Sequence, residues 1–311
     1  GGGPSAKSWV DRLDYSNDTA NTTLKGNLSF AKRNFDAESN SDDGYFIGGT
    51  IGGWGQPSIS SIDKVDFSND TPTASPKGPL ASGQIIFSGG AGPRSNGTPV
   101  AFAQATRTEA NSSPAGTNFG YTFGGLAGNY NTLSYTIQRI DFANDTATAS
   151  VPSNMTNTAP STAGNAGGFA VASLTHAYAG QSPNPSASSS IQRLDLSNDT
   201  TNASVHANMP ETAFQTNGVG NSDYGYICGN DKTSTSRIDY SNDTATTSPK
   251  GDLTVERGSA GVTGTPSYGY VGSGWKSNFF TQTSKTDRID YSNDTATAVV
   301  VGNMTFSKHN P

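Results

Sequence analysis

Apolar and polar residues alternate along short stretches of this chain, the spacing of β-strands with one buried side. Residues 25–75 show one full cycle. A strand is predicted near Phe35, and a second over Gly44 to Ile47 that ends in Gly48-Gly49. The third is predicted over Ile62 to Phe67, where Ile62, Lys64 and Asp66 share one face and Asp63, Val65 and Phe67 the other. Ser68-Asn69-Asp70 then reverses the chain, because Asn and Asp side chains bond backbone two residues on. The β-prone stretch Thr71 to Ser75 is predicted as the fourth strand.

The third strand and its turn return six times, as DRLDYSNDTA from Asp11, DKVDFSNDTP from Asp63, QRIDFANDTA from Gln138, QRLDLSNDTT from Gln192, SRIDYSNDTA from Ser236 and DRIDYSNDTA from Asp287. The central aspartates Asp14, Asp66, Asp141, Asp195, Asp239 and Asp290 are separated by 52, 75, 54, 44 and 51 residues. Repeats of roughly 50 residues are the period of four-stranded propeller blades, and each such unit buries its apolar face only against its neighbours. The expectation is an all-β single domain over residues 1–311, with six four-stranded blades. The 75-residue interval predicts an insertion at about 81–108. Gly302 to Asn310 parallels Gly26 to Asn34, so the chain reads as a segment of a longer polypeptide, and a seventh blade would then be accommodated.

An apolar strand closing on Gly-Gly, an Asp strand bearing an aromatic, and a loop leading to a basic residue such as Arg33 or Arg257 resemble the kelch repeat. The Gly pair varies, to Ala179-Gly180, Gly229-Asn230 and Gly272-Ser273, and Thr or Ala stands where a kelch blade carries tryptophan, so the fold is kelch-like. Across almost the whole chain, the phrase Arg-Ile-Asp-Tyr-Ser-Asn-Asp-Thr-Ala-Thr and linkers such as Lys250 to Leu253 resemble repeats in virion proteins of marine tailed phages that infect cyanobacteria. That resemblance implies a structural or tail-associated role at the virion surface or outside the cell, with other virion proteins as partners. It implies no catalytic residues.

A basic residue precedes each central aspartate by two, as Arg12, Lys64, Arg139, Arg193, Arg237 and Arg288. Base and acid therefore share a face, and each is predicted to pair across to a neighbouring strand or blade; a ring of charge lining the central channel is the alternative. The Asn-Asp turns carry enough oxygens to suggest calcium, but no copy has the dense acidic loop calcium demands, so an Asx turn is expected. Asn17, Asn69, Asn144, Asn198, Asn242 and Asn293 also fit the N-glycosylation pattern, which the same turn geometry explains.

In a four-stranded meander the connections between strands two and three, and from strand four to the next blade, leave on the side opposite the Asn-Asp turns. The irregular features are expected there, including Trp54, Tyr130, Tyr135, Trp275, Phe279 and Phe280, aromatic residues suited to sugar or protein surfaces.

Composition narrows the function. Apolar residues make up 32% and glycines number 37, which turns in a many-stranded meander account for. A net charge of -6 offers no basic field for nucleic acid. No apolar run approaches the roughly 18 residues of a membrane-spanning helix, so no membrane insertion is expected. The single cysteine, Cys228, sits in an apolar run and is expected to be buried. His176, His206 and His309 fall in different repeats without metal-ligand spacing, so no metal and no cofactor is expected. The leading expectation is a non-enzymatic virion propeller that presents its loops to a host-surface glycan or protein. The alternatives are an assembly or decoration protein without a host ligand, and a polysaccharide-degrading enzyme using carboxylates that approach each other across the channel.

Overall fold

The computed structural model describes residues 6–40, 42–52, 56–84, 90–91, 119–127, 132–156, 166–183, 188–212, 215–230, 232–258, 260–274 and 282–305. The chain is an antiparallel β-propeller. An N-terminal hairpin pairs β1 (Lys7–Arg12) with β2 (Thr23–Lys32). The first blade contains β3 (Asp36–Ser39), β4 (Asp43–Ile47), β5 (Ile62–Asp66) and β6 (Ser75–Lys77). The second contains β7 (Gly90–Ala91), β8 (Phe119–Ala127), β9 (Thr132–Asp141) and β10 (Ser150–Asn154). The third contains β11 (Ala166–Ala172), β12 (His176–Pro183), β13 (Ser190–Asp195) and β14 (Ser204–Asn208). The fourth contains β15 (Asn217–Gly220), β16 (Tyr224–Cys228), β17 (Thr235–Asp239) and β18 (Ser248–Pro249). The fifth contains β19 (Gly261–Gly264), β20 (Tyr268–Gly272), β21 (Lys285–Asp290) and β22 (Val299–Asn303).

The blades therefore number five, and not six or seven. The first copy of the repeated phrase lies in the hairpin, whose two strands correspond to the third and fourth of a blade. The hairpin nevertheless joins the fifth blade to the first. Thr22 donates its N–H to the Asn303 carbonyl at 2.9 Å, and Ala74 donates to Asn27 at 2.7 Å. The same backbone bond recurs from Ala149 to Pro79, Ala203 to Asn154, Thr247 to Asn208 and Ala298 to Asp252.

The fourth strand also starts later than alternation predicts, at Ser75 in the first blade. The Asn-Asp-Thr segment is occupied by tight turns, and the next amide, Ala74, is already bonded to the preceding unit.

Apolar side chains meet mainly between blades. Tyr121, Phe123 and Ile137 of the second pack on Ala170, Ala179 and Leu194 of the third; Val219, Tyr226 and Cys228 of the fourth pack on Val271 and Ile289 of the fifth. Cys228 is buried as expected, and that burial pushes its thiol up to about 12. Close approach is purchased with glycine where strand four docks on the next turn. A Cβ on Gly26, Gly78, Gly251 or Gly302 would stand 1.8 to 1.9 Å from a carbonyl oxygen of the following unit.

Two ion pairs are withdrawn from water. Lys32 lies 3.1 Å from Asp63, and Arg257 lies 2.8 Å from Asp287, all with side-chain exposure of 0 or 1%. Arg257 also donates to the carbonyls of Val271, Ser273 and Lys285. The counterpart of Arg257 is Lys32 and not Arg33, because Gly26 to Lys32 and Gly251 to Arg257 share the same spacing. The altered doublet Gly229-Asn230 keeps the left-handed backbone, with φ of 103° and 67°, whereas Ala179-Gly180 lies within β12 and does not. In the fifth blade that conformation falls one residue later than expected, at Ser273-Gly274.

Breaking a buried pair from one side leaves a charge with no counter-ion in a dry site. Asp287→Ala is expected to lower unfolding free energy by about 3–5 kcal/mol, and Asp287→Leu with Arg257→Met by much less. Urea denaturation measures both. A single-variant loss under about 1 kcal/mol would show that the pair is not withdrawn from water.

Candidate functional site

The repeated carboxylates have two distinct tasks. Asp14 Oδ1 accepts from the Ser16 N–H at 2.9 Å and from Ser16 Oγ at 2.7 Å. Asp66, Asp195, Asp239 and Asp290 hold Ser68, Ser197, Ser241 and Ser292 in the same way, and Asp141 accepts from the Ala143 N–H. These are Asx turns, as the sequence predicts, and the serine hydroxyl leads the causes that lower the Asp14, Asp66, Asp195, Asp239 and Asp290 carboxyls. Asn17, Asn69, Asn144 and Asn198 complete their turns by accepting from the threonine hydroxyl two residues on, at 3.1 to 3.3 Å.

The basic residues pair elsewhere. Each reaches the second aspartate of the phrase in the next unit: Arg12 to Asp70, Lys64 to Asp145, Arg139 to Asp199, Arg193 to Asp243, Arg237 to Asp294 and Arg288 to Asp18. These pairs lie in the junctions between neighbouring units. A tyrosine on strand two joins them in every complete blade. Tyr45, Tyr121, Tyr178, Tyr226 and Tyr270 donate their hydroxyls to Asp145, Asp199, Asp243, Asp294 and Asp18 at 2.6 to 3.1 Å. His206 adds a contact of 2.7 Å to Asp243, while Lys77 and Lys250 add cations at Asp145 and Asp294. The tyrosine ring is stacked by the next unit's aromatic, as in Tyr45 on Phe142, Tyr178 on Tyr240 and Tyr226 on Tyr291, at 4.8 to 5.1 Å between centroids.

Sequence reasoning anticipated a partner on a neighbouring strand or blade for each basic residue but missed which aspartate it is and the tyrosine that joins it, because period-two alternation relates residues on one strand and says nothing of the next blade. A signal was present: a Tyr on strand two accompanies every basic residue whose blade is complete.

On the opposite side, an open groove of about 850 Å³ lies where hairpin, first blade and the connection into the second meet. Phe30, Ile51, Ser58, Ser60, Ser61 and Lys77 line it, so the floor is mixed apolar and hydroxyl with one cation. Ile51 is 55% exposed. A smaller cavity of about 160 Å³ opens between Met209, Glu211, Thr216, Cys228 and Lys250 on the same side. Of the predicted aromatics, Tyr135 lies on β9, half-buried against the core between the second and third blades. Trp54, Tyr130, Trp275, Phe279 and Phe280 lie outside the described residues.

The long interval falls differently from expectation. β7 pairs Gly90 with Thr122 and Ala91 with Tyr121, so the first strand of the second blade lies inside the stretch 81–108. Residues 92–118, which lie outside the described residues, separate strands one and two. In the other blades that connection is short and turns on the side of the Asn-Asp turns, as at Asn221 to Tyr224. Interval counting could not distinguish these two places.

Among the described residues no group of three or more His, Cys, Asp or Glu is placed to hold a metal ion, and no helix is long and apolar enough to cross a membrane. No protein-family model and no curated protein matches the chain.

Burial pushes the Asp243 carboxyl up, but hydrogen bonds from Tyr178, Arg193 and His206 outweigh it and hold the group at about 2. The Asp145 and Asp294 carboxyls are also lowered; burial opposes this, and their lysine, tyrosine and arginine partners prevail. A carboxyl lowered in the folded state contributes stability that is full above its unfolded pKa, about 3.9, and is lost as pH falls through the folded value. Thermal melting is therefore expected to fall slightly below about pH 6.5, where unfolding lets His176 take up a proton that burial opposes in the fold, and to fall steeply between pH 4 and 2. Asp243→Asn should flatten part of that fall; an unchanged profile in the variant would remove Asp243 from the account.

Proposed function

We propose that this protein is a non-enzymatic component of a tailed-phage virion, a rigid propeller that presents one side to a glycan or protein on the host surface. The observation that carries the reading is the separation of roles between the two sides. The Asn-Asp turns spend their carboxylates on holding neighbouring blades, whereas the other side bears the groove lined by Phe30, Ile51, Ser60 and Lys77. Apolar faces beside hydroxyls and a cation suit a carbohydrate, and rigid scaffolds favour binding by variable loops. The resemblance of the repeated phrase to phage virion proteins supplies the setting.

A second reading, an assembly or decoration protein, is favoured by a different feature. Leu24, Val151, Val205, Val299 and Val300 on the outermost strands are 38 to 56% exposed, an apolar rim on which another structural protein could seat.

Binding of labelled protein to susceptible cells, before and after removal of surface polysaccharide, separates the two. Host recognition predicts saturable binding that stripping abolishes and that Trp54→Ala with Trp275→Ala weakens by about tenfold, comparable to removing one aromatic anchor. Absence of binding to every susceptible host would leave the assembly reading.

A further inference from the structure

Three times along the chain, a long polar side chain four residues after a buried leucine enters the next blade: Lys32 after Leu28, Gln84 after Leu80 and Arg257 after Leu253, each 0% exposed. Strand three of that blade answers each one. Lys32 meets Asp63, Gln84 donates to the Ser134 and Thr136 hydroxyls, and Arg257 meets Asp287. In the third blade Gln192 reaches the other way and holds Thr156. The fourth blade has neither arrangement. Met209 stands where Leu253 does, its N–H on the Ser189 carbonyl as that of Leu253 is on Thr233. Four residues on, the sequence has Ala213, outside the described residues, and the phrase opens with Ser236 where every other copy has Asp or Gln. Small residues at both positions coincide with the cavity of about 160 Å³, whose lining includes Met209, Thr216, Cys228 and Ser236.

We propose that this cavity binds the acetamido group of an N-acetylated amino sugar, which brings from outside the carboxamide that Gln84 places in the second blade. The carbonyls that hold Arg257 in the fifth blade define the acceptors. Strand pairing matches Val271, Ser273 and Lys285 with Ile227, Gly229 and Ser234, and all three of these line the cavity. Thr216, 4% exposed, lines it too, and among the described residues its hydroxyl has no hydrogen-bond partner. A buried hydroxyl in that state is destabilising, and a ligand carrying an acceptor relieves it. Met209, Ile227 and Cys228, all 7% exposed or less, form an apolar wall.

A cation fits poorly. Ser236 replaces the aspartate that neutralises Lys32 and Arg257 in their blades, so a buried charge would enter without a counter-ion. An acetamido group is neutral, with an N–H for the carbonyls, an oxygen for Thr216 and a methyl for the apolar wall. It is also smaller than benzene, which a cavity of roughly 150 Å³ holds. The acetamido chemistry rests on the cavity, and its glycan carrier rests on the host-recognition reading.

The intact protein is titrated with methyl N-acetylglucosaminide, methyl N-acetylgalactosaminide, methyl glucoside and methylguanidinium, followed through the amide NMR signals of Thr216, Cys228 and Ser236. Saturable shifts are expected with at least one N-acetylated sugar, and at least tenfold weaker ones with methyl glucoside. Ser236→Gln gives the fourth blade the residue that opens the third-blade phrase and should abolish binding without lowering the melting temperature. Thr216→Val keeps the shape, removes a hydroxyl that the fold does not use, and should weaken binding about tenfold. Methyl glucoside binding as well as the N-acetylated sugars, methylguanidinium binding more tightly than either, or sugar binding indifferent to Ser236→Gln overturns the proposal, as does no shift with either N-acetylated sugar at 100-millimolar order. Cell attachment separates this site from the host-recognition reading. Polysaccharide-dependent attachment that Ser236→Gln leaves intact overturns the assignment of this cavity alone, whereas N-acetylated sugar binding without attachment to any susceptible cell supports the cavity and removes the host.

Discussion

Everything in this ring depends on a carboxylate that belongs to one blade and is satisfied by another. The second aspartate of each phrase sits in the turn that follows strand three, yet its cation, and in five junctions its tyrosine, come from the preceding unit. Hydrogen bonds to a charged acceptor are each worth about 1.5–3 kcal/mol in favourable settings, more than neutral ones. A chain with 32% apolar residues has little hydrophobic surface to spend, and it places what it has between blades and beside these carboxylates. The polar junction and the apolar cluster are therefore parts of one seam, in which the tyrosine contributes its ring to one and its hydroxyl to the other.

Much of the architecture was legible from the sequence because the features that repeat are local. Ile62 to Asp66 alternates as a strand should, and Asp66 with Ser68 closes its turn within two residues. The parts that escaped are relations between units. The partners of Arg139 or Arg237 lie 60 and 57 residues away, and alternation along one strand cannot choose between the two aspartates of a phrase. The blade number was misjudged for a related reason: a copy of the phrase records strands three and four, and among the described residues the hairpin places those two strands in the ring without strands one and two beside them. The residues proposed for binding were chosen by exposure and aromaticity, and Tyr135, the one among them within the described structure, is half committed to the core.

The two sides of the disc obey different constraints. At the Asn-Asp turns the path is dictated by closely spaced bonds, so the phrase tolerates few changes: Phe or Leu replaces Tyr, and Lys replaces Arg. Connections on the far side need only return the chain to the next strand, which is why 44-residue and 54-residue intervals build equivalent blades. The spacing of β7 and β8 departs from that division, since the longest separation between successive strands falls between strands one and two of the second blade.

So literal a repeat carries a hazard of its own, because a turn that fits every neighbour does not identify its own. The residue opening four of the six phrases supplies the missing address. Asp63 answers Lys32, Gln138 binds the Ala81 and Ser82 backbone, Gln192 holds Thr156 through both ends of its amide, and Asp287 answers Arg257 and Thr254. In each case the incoming connection is checked against the blade it leads into. A lysine brought against a glutamine would be left charged and dry, so a misthreaded ring is penalised where the interchangeable turns would have accepted it.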